Sequence, residues 1–238
     1  EVAAVAGVSD EEARNFGAAM GIEKTTGDFR TVLEDPSIDA VHILTPNALH
    51  HPIAMAALKA GKHVLCEKPL TVNSAQAREM VDLARQTGLA NCVNHNLRCY
   101  PVVQQVRRMI ENGDLGEILI AQGTYSQDWL LYDTDYNWRL EAKDNGALRA
   151  MGDIGSHWMD MVQHITGLPI TAVCADMATF HATRKRPQGS IESFAGKKYV
   201  PTEYEVIPID TDDYASVLFR LGERARGMYS VTQMAIGR

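Results

Sequence analysis

The sequence lacks what disulfide, zinc and membrane architectures need. Its four cysteines, Cys66, Cys92, Cys99 and Cys174, form no C-x-x-C pair and no His/Cys cluster at zinc spacing, so neither a disulfide framework nor a structural zinc site is expected. Scattered through apolar surroundings, they read as reduced, mostly buried thiols, which points to a cytoplasmic setting. Basic residues are in the minority: 23 Lys and Arg stand against 30 Asp and Glu, for a formal charge of −7. That balance argues against nucleic acid or an anionic membrane as a partner. The longest apolar runs, residues 39–46 and 53–60, are too short to span a bilayer, and no signal peptide is visible. A G-x-S-x-G elbow, a phosphate loop and a G-x-G-x-x-G turn are also missing, which argues against a serine hydrolase or a P-loop enzyme. There are no internal repeats.

What is present is an alternation. At about 150 residues per domain, 238 residues fit one large domain or two small ones. In the first half, β-rich runs at 2–8, 39–44, 62–66 and 90–93 are separated by stretches of helical period. Ser9, Asp28 and Asn73 stand where N-caps belong, and Gly21, Gly61 and Gly88 where helices stop. The run at 39–44 is apolar enough to be buried on both faces of a parallel sheet. Strand-helix units at this spacing predict a doubly wound parallel sheet. After it, helices at 102–112 and 147–165 and β-rich runs at 116–125, 170–181, 204–209, 214–220 and 224–232 predict an α+β region with a mostly antiparallel open sheet. The polar segment 184–201 reads as an exposed loop.

Ligands of open parallel sheets bind beyond the carboxyl ends of the strands. Two corners lie there, Thr45-Pro46-Asn47 with His50 just beyond, and Glu67-Lys68-Pro69. Residue types alone leave Lys68 open between a solvated turn and a site. A third cluster is Gly152-Asp153-Ile154-Gly155-Ser156-His157. Asp153 and His157 share one helix face, a carboxylate beside an imidazole suited to proton transfer near neutral pH, or equally an ordinary surface pair. Asp160 and His164 extend the same face, but their spacing matches no metal signature, and no metal is expected.

Taken together, Asp39-Ala40-Val41-His42-Ile43-Leu44-Thr45-Pro46-Asn47, then Ala60-Gly61-Lys62-His63-Val64-Leu65-Cys66-Glu67-Lys68-Pro69, then Gly152 to His157, resemble the glucose-fructose oxidoreductase and inositol dehydrogenase family (Gfo/Idh/MocA). Asn94 to Pro101, Gly113-Asp114-Leu115-Gly116 and Asp212-Asp213-Tyr214-Ala215 are similar to further family segments, so the resemblance runs the whole length. It implies a Rossmann domain over residues 1–98 and an α+β substrate and oligomerisation domain over 99–238. It also implies hydride transfer between NAD or NADP and a hydroxyl of a sugar, sugar derivative or polyol. Lys68, Asp153 and His157 correspond to the family's catalytic residues. Gly7, Ser9, Thr45, Pro46, Asn47, His50, Glu67, Lys68, Asn96 and Arg98 would line the cofactor. The aromatic and polar stretch after the first strand of the second region suits a carbohydrate, so Trp129, Tyr136, Trp138 and Arg139 are expected at the substrate cleft beside Lys68, Asp153 and His157. A loop filling an interface is the competing reading of that stretch. A homo-oligomer through the second-domain sheet is implied as well.

Relative to the family pattern, the chain starts at what corresponds to the second strand. The glycine-rich turn, about 25 residues of a βαβ unit, is therefore expected upstream of Glu1, with further sheet strands downstream of Arg238. At the end of the run at 2–8, Gly7 and Ser9 leave room for the 2′-phosphate of NADP. Asp10, Glu11 and Glu12 would repel it, with only Arg14 to compensate, which leans the cofactor to NAD. An NAD-dependent glycoside hydrolase of the same fold and a non-catalytic cofactor-binding relative are the alternatives.

Overall fold

In the computed structural model, which describes residues 1–188 and 203–236, the chain divides between Asn94 and His95 into two compact units. This is slightly ahead of the 98/99 division expected from sequence, because the segment from His95 onward, Arg98 included, bonds forward to Asp160.

The first unit runs β1 (Ala4–Ala6), α1 (Asp10–Met20), β2 (Lys24–Thr26), α2 (Phe29–Glu34), β3 (Ala40–Ile43), α3 (His50–Lys59), β4 (His63–Cys66), α4 (Ser74–Thr87) and β5 (Asn91–Val93). Local chemistry sets the helix ends. Ser9 Oγ accepts the Glu12 amide at 3.2 Å while Glu12 Oε2 accepts the Val8 amide at 2.9 Å, a reciprocal capping box. Asp28 and Asn73 cap α2 and α4 by accepting the amides of Arg30 and Gln76. Gly61 and Gly88, at φ +77° and +65°, take the left-handed turn that ends a helix. The strand expected over 2–8 is only three residues long, since the Val8 amide belongs to the capping box. The short β2 had no legible pattern.

The strands form two parallel sheets, β1-β2 and β3-β4-β5. Their core joins Ile43, Val64 and Cys66 to Ala54, Ala57 and Leu58 of α3 and Met80 of α4. β3 is not buried on both faces as expected. Ala40 and His42 are exposed while Ile43 is buried, because the helices that cover this core lie against one side of the strand.

The second unit contains α5 (Pro101–Glu111), β6 (Ile120–Ser126), α6 (Ala142–Asn145), a π-turn (Met151–Gly155) leading into α7 (Ser156–Thr166), then β7 (Ile170–Ala178), β8 (Thr183–Pro187), β9 (Tyr204–Pro208), β10 (Tyr214–Leu221) and β11 (Ala225–Thr232). The main sheet has the order β6-β11-β10-β7 and is mixed: β6 lies parallel to β11 and the other pairs are antiparallel. One face carries α7. Ile154, Trp158 and Val162, four residues apart in turn, meet Val217, Phe219, Tyr229 and Val231. Trp158 stacks on Tyr229 with ring centroids 4.5 Å apart. Gly227 makes room for this packing, since a Cβ there would sit 2.0 Å from the Phe219 ring.

Two expectations need correction. The segment 184–201 is not simply a loop: residues 183–187 form β8, paired antiparallel with β9, because their charges have distant partners described below. Residues 189–201 of that segment, like Gly237 and Arg238, lie outside the described residues. The thiols are not mostly buried either. All four are free, but only Cys66 is buried, while Cys92, Cys99 and Cys174 are exposed. Cys174, for example, stands opposite Leu218 on the uncovered face of the sheet.

Candidate active site

Within the first unit, the loops after β3 and β4 are tied together by His50. Its ring is fully buried, with Nδ1 2.8 Å from the Pro69 carbonyl and Nε2 2.9 Å from the Thr45 carbonyl. His50 therefore sets the spacing of the two loops. The backbone is cis at Lys68-Pro69. Glu67 Oε1 accepts the Asn94 side-chain amide, and Oε2 accepts the Lys68 amide at 3.3 Å, which fixes the turn that carries Lys68. Lys68 is half-buried and Asn47 buried. Thr45 Oγ1 is buried with no hydrogen-bond partner among the described residues. At the end of β1, Gly7 packs on α1, where an added Cβ would lie 3.0 Å from the Ala13 nitrogen. Ser9 is occupied as the cap, and Asp10 Oδ1 accepts the Gly27 amide at 2.5 Å.

In the second unit, Asp212 builds the start of the catalytic-looking helix. Its two carboxylate oxygens accept the amides of Arg149 and Met151 at 2.6 and 2.7 Å, satisfying donors that a helix start leaves open. The helix then opens by one residue into the π-turn, with the Ser156 amide bonding to the Met151 carbonyl. Asp153 and His157, both buried, project from this stretch. Asp153 Oδ2 accepts Gln233 Nε2 at 2.8 Å, and Oδ1 lies 3.6 Å from Arg139 Nε. His157 meets His95 edge-on, with centroids 5.5 Å apart. Asp160, one turn on, lies 3.8 Å from His95 Nδ1 and takes both arms of Arg98. Asn96, at the start of the same short turn, is exposed. His164 is drawn off to Arg107 and Gln104; burial first, and then the neighbouring Arg107 charge, hold its pKa below the usual imidazole value.

The aromatic stretch divides. Arg139 reaches Asp153, and its guanidinium stacks 4.5 Å from the Trp138 ring centroid. Trp129 and Tyr136 instead pack against Leu130, Leu140, Ile207 and Ile209, a small core of their own. The Tyr136 hydroxyl donates to Glu141.

Asp212 and His95 lie in segments that carry the family resemblance, but sequence gives neither a role at this site. Gln233 is an isolated polar residue with no motif around it, and only long-range pairing gives it a place. The neighbouring Asp213 is fully buried between Arg149 and Arg184. Burial opposes its ionisation, yet the two guanidiniums and the His181 amide keep its carboxyl below the usual range. Among the described residues, no helix is long and apolar enough to cross a membrane.

Comparison with known proteins agrees with this architecture. Residues 1–95 match an oxidoreductase family with an NAD-binding Rossmann fold, and residues 103–238 match the GFO/IDH/MocA C-terminal domain. Levoglucosan dehydrogenase of Pseudarthrobacter phenanthrenivorans is 34% identical over 235 residues, 98% of this chain and 59% of that protein. The 1,5-anhydro-D-fructose reductase of Ensifer adhaerens is 34% identical over 165 residues, 69% of this chain and 49% of that one. A levoglucosan dehydrogenase solved with NADH and levoglucosan superposes with a TM-score of 0.87 at 33% identity, covering 99% of this chain and 59% of that chain. The chain thus spans about half to three fifths of the length of these relatives.

Proposed function

Because the chain belongs to the Gfo/Idh/MocA family, we propose that it forms part of an NAD(P)-dependent oxidoreductase acting on a hydroxyl of a sugar, sugar derivative or polyol. The observation that carries this reading is the buried Asp153 and His157 on one anchored helix start, with Asp153 held from two sides. The similarity to enzymes named for levoglucosan and 1,5-anhydro-D-fructose supports a sugar, and these two compounds are the first to assay.

When bound, a nicotinamide cofactor supplies the acceptor or donor of hydride. Thr45, Pro46, Asn47, Glu67 and Lys68 would hold it at the strand ends of the first unit, a role that the partnerless Thr45 hydroxyl fits. Arg98 and Asn96 belong to the same proposal. A carbinol carbon loses hydride only as its hydroxyl loses a proton. His157 takes or returns that proton, Asp153 orients and charges the imidazole, and the Lys68 ammonium stabilises the developing alkoxide. Arg139 and Trp138 face the sugar. Asp10 and Glu12, fixed beside Gly7, favour NAD over NADP by repelling a 2′-phosphate. Free thiols support a reducing, cytoplasmic setting, and the uncovered sheet face supports a homo-oligomer.

Reduction of NAD by these sugars tests the reading. Lys68→Met and His157→Ala are each expected to slow turnover by ~10²-fold or more. Turnover near that of the unaltered protein in both would overturn the assignment. A preference of about tenfold or more for NADP in apparent affinity would overturn the choice of cofactor.

A further inference from the structure

We infer that Gln233 is a positioning residue that fixes the Asp153 carboxylate in place and favours its ionised form. The inference rests on Asp153 belonging to the catalytic group. Gln233 follows β11, is fully buried, and lies 80 residues from Asp153 in sequence, yet its Nε2 donates to Asp153 Oδ2 at 2.8 Å. The backbone around it leaves the side chain little choice. The Gln127 amide donates to the Thr232 carbonyl at 2.9 Å, the Ala235 amide to the Gln127 carbonyl at 2.9 Å, and the Leu130 amide to the Gln233 carbonyl at 3.1 Å.

The orientation of the carboxamide is also decided. Nε2 faces two acceptors, Asp153 Oδ2 and, at 3.4 Å, Gln127 Oε1, whose oxygen is itself fixed by the Trp129 indole at 2.7 Å. A carboxylate can only accept, so the nitrogen must point to it. This leaves Gln233 Oε1 buried with no partner among the described residues. A buried amide kept in an orientation that leaves its own oxygen unsatisfied is placed for the charge it meets, since hydrogen bonds to ionised groups are the stronger ones. Other groups around Asp153 include Arg139, 3.6 Å away, His157 one turn along, and Tyr125, whose hydroxyl is pushed up by burial and then by the Asp153 charge. Arg139 favours the ionised carboxylate from the opposite oxygen. Gln233 is the neutral donor that holds Oδ2.

The test is a carboxyl-carbon NMR titration of Asp153 in this chain, with the resonance assigned through Asp153→Asn. Gln233→Met, which keeps the volume and removes the donor, is expected to raise the Asp153 midpoint by about one pH unit. Gln233→Glu is isosteric and sets a like charge against Asp153, so it should raise the midpoint at least as far. If Gln233→Met does not fold, Gln233→Glu decides alone. A midpoint within about 0.3 unit of the unaltered protein in a folded variant would overturn the inference. The acidic limb of kcat should move up with the midpoint while KM for the cofactor stays unchanged. If the unaltered protein oxidises no sugar, the proposed function fails, and the titration still decides the role of Gln233.

Discussion

Glu141 shows how one side chain in this protein acquires a pH range. The Tyr136 hydroxyl, and after it the Lys143 and Arg186 side chains, hold its carboxyl down at about 2, against an ordinary value of 4.5. Burial first, then the bond to Glu141, pushes Tyr136 up to about 12. A carboxylate depressed in the folded state adds stability above its unfolded value and loses it as pH falls through the folded one. The window for Glu141 is therefore from 4.5 down to about 2. Glu141→Gln should be less stable than the unaltered protein near neutral pH, and this difference should shrink as pH falls to about 3, as urea unfolding at several pH values will read. At the same scale, burial and the adjacent Glu67 charge push Cys66 up to about 12, so a thiol reagent should label Cys92 and Cys99 in the native protein and Cys66 only after unfolding. Lys68, Asp153 and His157 stand out as candidates because each sits in a short motif. Gln233 was not, because a lone glutamine after a strand has no spacing to betray it.

The β8-β9 hairpin is the element that tertiary context changed most. A run of Thr183-Arg184-Lys185-Arg186-Pro187 has the composition of a loop, yet it forms a strand because each cation meets a fixed partner. Arg184 is fully buried and donates to the carbonyls of Leu130, Tyr132 and Asp135 as well as to Asp213. Lys185 pairs with Asp133, and Arg186 with Glu141 and Glu205. The hairpin thus clamps the segment 130–141 that delivers Arg139 to Asp153. Arg184→Met should destabilise the protein by about 3–5 kcal/mol, the range for breaking a buried ion pair, measured by urea denaturation. Helices, by contrast, were legible almost to the residue where caps exist, because Ser9, Asp28 and Asn73 satisfy amides within their own turn.

For the whole molecule, the informative surface is the face of the four-stranded sheet opposite α7. Register places Met228, Leu218 and Cys174 in one row across β11, β10 and β7, and Ile120, Leu218 and Met228 are 74%, 60% and 50% exposed. The proposed homo-oligomer would form through this apolar row. Sedimentation should find an oligomer, and the double substitution Leu218→Glu, Met228→Lys should dissociate it; a monomer at about 10 μM, a concentration at which even modest interfaces assemble, would refute the association. Sequence by itself determined most of the alternation of strands and helices, β2, α6 and β8 apart, the caps and left-handed glycines that bound them, and the three motifs at strand and helix ends, because these depend on residues a few positions apart. Only the tertiary structure decided which face of β3 is covered, that residues 183–187 form a strand, and that Gln233 and Arg139 hold Asp153. Those outcomes depend on pairings between residues more than ten positions apart, for which composition and periodicity leave no local trace.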